Sequence, residues 1–443
     1  MYLLYSALLA AGLLISLPYW LFEMLRHGKY RTGLSERLGR VPQRILTDPG
    51  QKTIWIHAVS VGEVLAICNL VKDLKQSLPR RIVVSTTTDT GQALARKRFG
   101  QENVFYFPLD FGFSVRPYLQ QLRPELIVIA ETEFWPNFLR LAQSSGAKVA
   151  VVNARISDRS LPGYRRWRGR LSKVLKNVDL FLAQTPTDAR RLAEIGASAE
   201  RIKISGNLKY DMEAPATIPL VSQLRDVLGK AQAAPIIVCG STVEGEEGLL
   251  LRAFENVLAS YPQAVMILAP RRPERFDQVA GLLEQLRIRF WRRSTWRGES
   301  ISSGVFLLDS IGELASIYAL ADIAFVGGSL EPFGGHNILE PAQHGVAVVV
   351  GNHTANFRDM VALFQSRNAV RVVGPAELPL VWMELIANPE ERRALGARAA
   401  ETAQSQTGAT QRTVEALVHL LKAEKSAPDV ELQNFANEGT RLQ

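Results

Sequence analysis

The sequence predicts an α/β protein of two doubly wound, Rossmann-like domains facing a cleft, with an apolar membrane-anchor helix at its start. Three observations carry this. From Thr53 onward, short continuous apolar runs alternate with amphipathic stretches, the pattern of parallel strands covered on both faces by helices. The alternation stops over residues 211–235, where Pro215, Pro219 and Pro235 punctuate an Ala-rich stretch, and then begins again. Ahead of both series, residues 1–22 hold no charged side chain.

In chain order, residues 1–22 come first. About 20 apolar residues suffice to cross a bilayer as a helix. Arg26, His27, Lys29 and Arg31 follow the run, which keeps the remainder of the chain on the cytoplasmic side. Pro18-Tyr19-Trp20 suits an interfacial anchor better than a cleavage site, and Pro18 leaves open a helix that lies in the membrane face. Residues 23–211 form the first domain, with strands expected at 54–58, 82–85, 104–107, 126–130, 149–152, 180–183 and 202–205 and helices near 64–77, 91–99, 136–142 and 187–195. Residues 212–235 read as a linker. The second domain, 236–425, has strands expected at 236–239, 265–268, 305–308, 323–326 and 346–350 and a helical end from Glu390. Residues 426–443 are polar and patternless, a disordered tail.

The net charge of +9 points to an acidic partner: nucleic acid, a phosphorylated ligand or an anionic membrane. Cys68 and Cys239 lie far apart in apolar runs, which suits a reducing compartment with neither disulfides nor a metal cluster. No Walker A, GxSxG, HExxH or complete dinucleotide fingerprint is present, which argues against kinase, serine hydrolase, zinc protease and dehydrogenase chemistry.

Chemistry-bearing residues collect at the carboxyl ends of the expected strands, where open α/β sheets bind ligands. Glu63, in His57-Ala58-Val59-Ser60-Val61-Gly62-Glu63, opens a helix after the first strand. It is either a general base or a first-turn acid favoured by the helix dipole. Glu131 follows the strand at 126–130 beside Thr132, Glu133, Phe134, Trp135 and Pro136, a setting for a polar ligand or a plain helix entry. Residues 153–176 hold Arg155, Arg159, Arg165, Arg166, Arg168, Arg170, Lys173 and Lys176 against the single acid Asp158. Such a run serves nucleic acid or anionic lipid, and the anchor favours lipid. Lys209 sits where the chain leaves the first domain. In the second domain, Pro270-Arg271-Arg272 follows a strand and precedes a helix, a fit for phosphate. Gly240-Ser241-Thr242 and Ile311-Gly312-Glu313 are smaller loops of that kind. Residues 326–345 carry two glycine pairs, His336-Asn337 and Glu340, and read as a glycine-turn phosphate or nucleotide site.

Taken together, HAVSVGE, AETEFWPN, NARISDRS, GNLKYD, PRRPER and GGSLEPFGGHNILEP, in this order behind an uncharged start, resemble the Kdo (3-deoxy-D-manno-oct-2-ulosonic acid) transferases. The resemblance runs from the anchor to about residue 357. It implies the two-domain GT-B glycosyltransferase fold and an inverting transfer of Kdo from CMP-Kdo to the lipid A precursor, lipid IVA, in lipopolysaccharide synthesis at the inner membrane, with the catalytic domains on the cytoplasmic side. It implies Glu63 as proton acceptor and Glu131 and Lys209 as transition-state stabilisers. It places CMP on Pro270, Arg271, Ile311, Gly312, Glu313, Asn337, Ile338, Leu339 and Glu340. Arg272 and Ile338 depart from the residues common in the family, and Ile338 leaves the exact turn open. A donor with one phosphate requires no diphosphate–metal clamp, so neither metal nor cofactor is expected. We add that Arg155, Arg159, Arg165, Arg166 and Arg168 meet the phosphates of the acceptor lipid or an anionic membrane surface. The rivals are another GT-B envelope enzyme using a different sugar nucleotide, and a membrane-tethered nucleic-acid-binding protein, which would leave Glu63 and the glycine loops without a role.

Overall fold

The structure, a computed structural model, describes residues 1–27, 32–46, 50–212 and 218–422; the expected tail at 426–443 and the charges at Lys29 and Arg31 lie outside the described residues. The chain divides into two units, one made of Met1–Met212 with the chain from Thr407 onward, the other of Glu213–Gln406.

The first unit is built on a seven-stranded parallel sheet. Its strands are β1 Thr53–His57, β2 Arg81–Thr86, β3 Val104–Tyr106, β4 Pro124–Ala130, β5 Lys148–Ala154, β6 Leu180–Ala183 and β7 Ile202–Ile204. They run in the order β3-β2-β1-β4-β5-β6-β7, with Ile56 of β1 opposite Val84 of β2 and Val128 of β4. All five residues of β1 are buried, because each face of the sheet carries its own core. Trp55 packs on one side with Phe105, Tyr118 and Phe138; Ile54 and Ile56 pack on the other with Leu70, Val84 and Val128. The order of strands reverses direction between β1 and β4, so the crevice at this switch point lies beside their carboxyl ends.

The second unit repeats the plan with β8 Ile236–Thr242, β9 Val265–Pro270, β10 Phe290–Arg292, β11 Gly304–Leu307, β12 Ile323–Val326, β13 Ala347–Gly351 and β14 Arg371–Val373. Their order, β10-β11-β9-β8-β12-β13-β14, is again all parallel and reverses at β8 and β12. The sequence reading anticipates neither β10 nor β14. Both are three-residue edge strands, half-covered by their neighbours except at buried Val373, so they lack the continuous buried run of a central strand.

Two boundaries differ from the expectation. The stretch read as a linker contains a helix, Pro219–Lys230, whose Leu220, Val221, Leu224 and Leu228 pack into the second unit with Trp296 and Phe306. Pro219 there occupies the first helical turn, where its missing N–H costs nothing, so the proline that signalled a break instead starts a helix. At the other end, the helix Ala409–Lys422 belongs to the first unit rather than the second. Its Ala409, Val414 and Leu417 pack with Leu70, Val71 and Leu74, and the Asp211 carboxylate accepts hydrogen bonds from the Gly408 and Thr410 N–H groups.

Candidate active site

In the first unit, β1 ends at His57 and the helix Val61–Ala66 begins after Ser60. Glu63 lies in the first turn of that helix and folds back on the entering chain. Its carboxylate accepts from the Val59 N–H at 2.7 Å and from the Ser60 hydroxyl at 3.1 Å, a variant of the reciprocal capping box. Burial pushes the Glu63 carboxyl up to about 7, the Glu131 charge adds to this, and the bonds from Val59 and Ser60 oppose it, with Glu133 a smaller like charge. A carboxyl held near neutrality is matched to proton abstraction at physiological pH.

Glu131 follows β4, the strand beside β1. Its backbone is left-handed, φ 58°, and its N–H donates to the Val152 carbonyl at 2.9 Å. A non-glycine residue pays about 1–2 kcal/mol for that conformation, which is held by β4 before it and by the Thr132 hydroxyl after it, donating to the Arg155 carbonyl. The result turns the carboxylate onto the Lys209 ammonium, 3.1 Å away. The pair is only partly exposed, with Lys209 at 20% and Glu131 at 32%. Lys209 is held in turn by two asparagines that the sequence reading did not single out. The Asn207 side chain accepts from the Lys209 N–H at 3.0 Å. Asn153, also left-handed at φ 54°, accepts from the Leu208 N–H at 3.0 Å. The visible signal was the AsnLeuLys turn itself. Glu133 stays half-buried, and burial raises its carboxyl.

The expected basic cluster separates into two parts. Arg155 stands at the end of β5, where its backbone N–H donates to the Thr132 hydroxyl at 3.3 Å. Arg159, Arg165, Arg166 and Arg168 are exposed on and around two short helices, Leu161–Arg166 and Arg168–Leu175. Arg165 is committed to Glu194, its Nε at 3.0 Å. Trp167 projects between the helices, 54% exposed, with the Arg170 guanidinium over its ring.

In the second unit, the loops after β8, β9 and β12 share one sheet edge. The glycine turn after β12 differs from the expectation. The Gly328, Ser329 and Leu330 N–H groups do not stand open for a ligand phosphate: all three donate to the Glu246 carboxylate, at 2.7, 2.8 and 2.8 Å. Glu246 also takes the Val243 N–H at 3.1 Å and is fully buried. Gly327 is obligatory beside it, since a Cβ there would lie 2.6 Å from the Ser241 carbonyl oxygen. Glu247, the next residue, accepts from the Thr242 hydroxyl at 3.1 Å and pairs with Arg275 at 2.9 Å. Two adjacent carboxylates therefore brace the loop at 327–330 and the loop at 271–275.

The remaining second-unit candidates fall around these braces. Pro270 closes β9 and is buried. Arg271 is exposed, its own N–H donating to the Thr242 carbonyl at 2.9 Å. The Asn337 side chain accepts from the Leu339 N–H at 3.2 Å, ordering the start of the short helix Leu339–Gln343. Ile338 and Leu339 are only 1% and 2% exposed, so they offer a ligand their backbone and not their side chains. Burial raises the Glu340 carboxyl, opposed by the bond from Asn337 and the charge of Arg271. At Ile311-Gly312-Glu313, the acid is taken by Arg293 at 3.0 Å and by the Ser310 hydroxyl, which leaves exposed Ile311 and the backbone of Gly312, φ 91°, as the presented surface. His336, part of the expected glycine-turn site but given no role of its own there, lies against Gly328. Burial and then the Arg271 charge push its imidazole down to about 4, so it is neutral at physiological pH.

Residues 32–212 match the family model described as 3-deoxy-D-manno-octulosonic-acid transferase (kdotransferase). Over 395 residues the chain is 36% identical to the 3-deoxy-D-manno-octulosonic acid transferase of Haemophilus influenzae, covering 88% of this chain and 91% of that one. The transferase of the same name from Bordetella pertussis is 34% identical over 417 residues, covering 90% and 94%. Among solved structures, a glycosyltransferase from Rickettsia africae aligns with TM-score 0.57 at 13% identity over 86% of this chain and 100% of that one. A UDP-GlcNAc 2-epimerase from Neisseria meningitidis aligns with TM-score 0.56 at 14% identity over 83% and 100%. These two likenesses speak for the two-domain GT-B fold alone.

Proposed function

This chain belongs to the Kdo transferase family, a glycosyltransferase family of lipopolysaccharide synthesis, and we propose that it moves Kdo from CMP-Kdo to the lipid A precursor, lipid IVA, with inversion. The single observation that carries the mechanism is Glu63, a carboxyl pushed up to about 7 at the sheet's switch point beside the Glu131–Lys209 pair. In this reading the glucosamine hydroxyl of the acceptor gives its proton to Glu63 as its oxygen bonds to the anomeric carbon of Kdo. The bond from that carbon to the phosphate oxygen breaks on the opposite face, and CMP departs with the electron pair. Glu131 and Lys209 stabilise charge developing at the transition state.

On the donor side, Arg271 faces the leaving phosphate and the half-buried Glu340 accepts from ribose hydroxyls. Asn337, Ile338 and Leu339 supply the turn that presents their backbone, with Pro270 and the turn at Ile311, Gly312 and Glu313 completing the CMP contacts. Arg155 and the exposed arginines 159, 165, 166 and 168 meet acceptor phosphates or the anionic surface of the inner membrane, on its cytoplasmic side.

The test is turnover. Purified protein is mixed with CMP-Kdo and tetra-acylated lipid A precursor, and CMP release is followed with the mass of the lipid. Transfer with the parent chain, and its loss in Glu63→Ala while CMP is still bound, is the expected result. Full activity in Glu63→Ala would remove Glu63 from the base role. CMP release without a mass increment on this lipid would reject the acceptor.

A further inference from the structure

The N-terminal helix, Tyr2–His27, is long and apolar enough to cross a membrane over Tyr2–Trp20, with a mean hydropathy of 1.6. Its contacts give it a different position. The first two turns are held by polar groups of the first unit. The Asn177 amide donates to the Tyr2 hydroxyl at 3.3 Å, and the Arg140 guanidinium lies 4.8 Å from the centre of the Tyr2 ring. The Asn137 amide donates to the Ser6 hydroxyl at 2.9 Å, and the Tyr5 hydroxyl bonds the Asp110 carboxylate. Positions 2, 5 and 6 share one helical face. Beyond the other end of the helix, the turn Leu34–Arg37 is fastened to the same unit, where the Glu36 carboxylate accepts from the Tyr106 N–H at 2.8 Å.

Both ends of the apolar segment therefore belong to one body. A single crossing would set Ser6 about 24 Å from Phe22 on the opposite side of the bilayer, out of reach of Asn137 and Asp110. Coverage along the helix agrees. Tyr2, Tyr5, Ser6, Leu9, Ala10, Leu13, Ser16 and Trp20 are partly covered, at helical spacing. The other face is apolar and open, with Leu3 at 88% and Ile15 at 81% exposure.

Charge complementarity names the occupant of that face. Arg140, which covers Tyr2, also lines a cavity of about 750 Å³ with Arg116 and Arg123. No carboxylate lines it among the described residues. Asn177, which holds Tyr2, lies two residues after the basic helix Arg168–Leu175, which exposed Trp167 precedes. An apolar helix face bordered by arginines, of which Arg140 faces a carboxylate, that of Asp110, and by an exposed tryptophan fits one leaflet, acyl chains against the leucines and headgroup phosphates against the guanidiniums. We propose that the N-terminal helix lies in the plane of a single leaflet, docked along the first unit, with its start on the same side of the membrane as the rest of the chain. This rests on the membrane-bound reading above, but it would stand or fall independently of the donor and acceptor assigned there.

The test reads topology and needs no substrate. The full chain, carrying a peptide epitope ahead of Met1, is placed in sealed vesicles with its folded units outward and treated with protease. Removal of the epitope without detergent is expected; protection until detergent is added would overturn the proposal. A second measurement uses Ser6→Cys with Asn137→Cys in a Cys68→Ser, Cys239→Ala background. Oxidation in membranes is expected to cross-link most chains internally, as a shift in mobility on gels. An accessible epitope combined with no cross-link would reject the docking while keeping the topology. A chain recovered in the soluble fraction would reject the leaflet.

Discussion

At the level of single residues, the behaviour of Glu63 follows from its surroundings. Its carboxyl is raised from 4.5 to about 7, so ionisation opposes folding. Its contribution to stability is fully present below about pH 4.5 and is lost as pH rises through about 7. Glu63→Gln is therefore expected to melt at or above the parent temperature at pH 8, with the gap closing by pH 5, as followed by calorimetry. Activity runs the other way. With Glu63 as the proposed base, kcat/KM of the parent is expected to fall tenfold per pH unit below about 7 in a pH–rate profile, and the residual rate of Glu63→Gln is expected to lack this limb. Lys209→Met strips the cation from Glu131. Rate is expected to fall on the order of 100-fold, and the acid limb to move upward because Glu131 then repels the Glu63 charge unopposed. Residues of this kind were legible in part. Glu63, Glu131 and Lys209 stand next to strand ends and carry charge, so the sequence exposes them. Asn153 and Asn207 act by fixing the backbone of the Lys209 turn, Asn153 from 55 positions away and Asn207 from two residues before Lys209, and neither carries a charge that would mark it.

Among elements, the loops of the second unit show how a local reading can find the place and miss the role. Two glycine pairs after a strand resemble an anion turn, yet the N–H groups of Gly328, Ser329 and Leu330 converge on Glu246, a residue more than 80 positions away. Nothing in the glycines records that partner; Glu246 itself looks like an ordinary first-turn acid. Glu246→Ala leaves buried donors without an acceptor, each worth about 1–3 kcal/mol. Denaturant unfolding should show a loss of about 3 kcal/mol or more, and isothermal titration should show weakened CMP binding. Glu246→Gln, which keeps one acceptor oxygen, should recover part of both. Strand placement was otherwise readable for the buried strands, whose apolar runs are continuous, and unreadable for β10 and β14. Those edges carry Arg292 and Arg371, whose guanidiniums pair with Asp309 and Glu391, so their sequence looks like loop.

For the molecule as a whole, the sequence suggested two domains in series, whereas the second unit is inserted in the first. Composition could place the break near Asp211, but not the return of the last helix, because an amphipathic helix says that it covers something and not what it covers. Removing residues from 407 on would bare Leu70, Val71 and Leu74. Roughly 3–5 kcal/mol should be lost from the first unit by the burial of Val414 and Leu417 alone. Hydrogen exchange should show the helix Cys68–Ser77 losing protection while the helix Glu246–Ser260 keeps its own. The insertion also sets an order in time. A ribosome delivers residues 1–212 long before the helix Ala409–Lys422, and domains otherwise tend to fold as they emerge. Here the part that is translated later can be finished earlier: the inserted unit has all its strands once residue 373 is out, while the unit bearing Glu63 waits for nearly the last turn of the chain. Until then its greasy flank on the helix Cys68–Ser77 is open beside a nascent apolar segment, so a nascent chain stalled before Ala409 should be the form most prone to capture by chaperones.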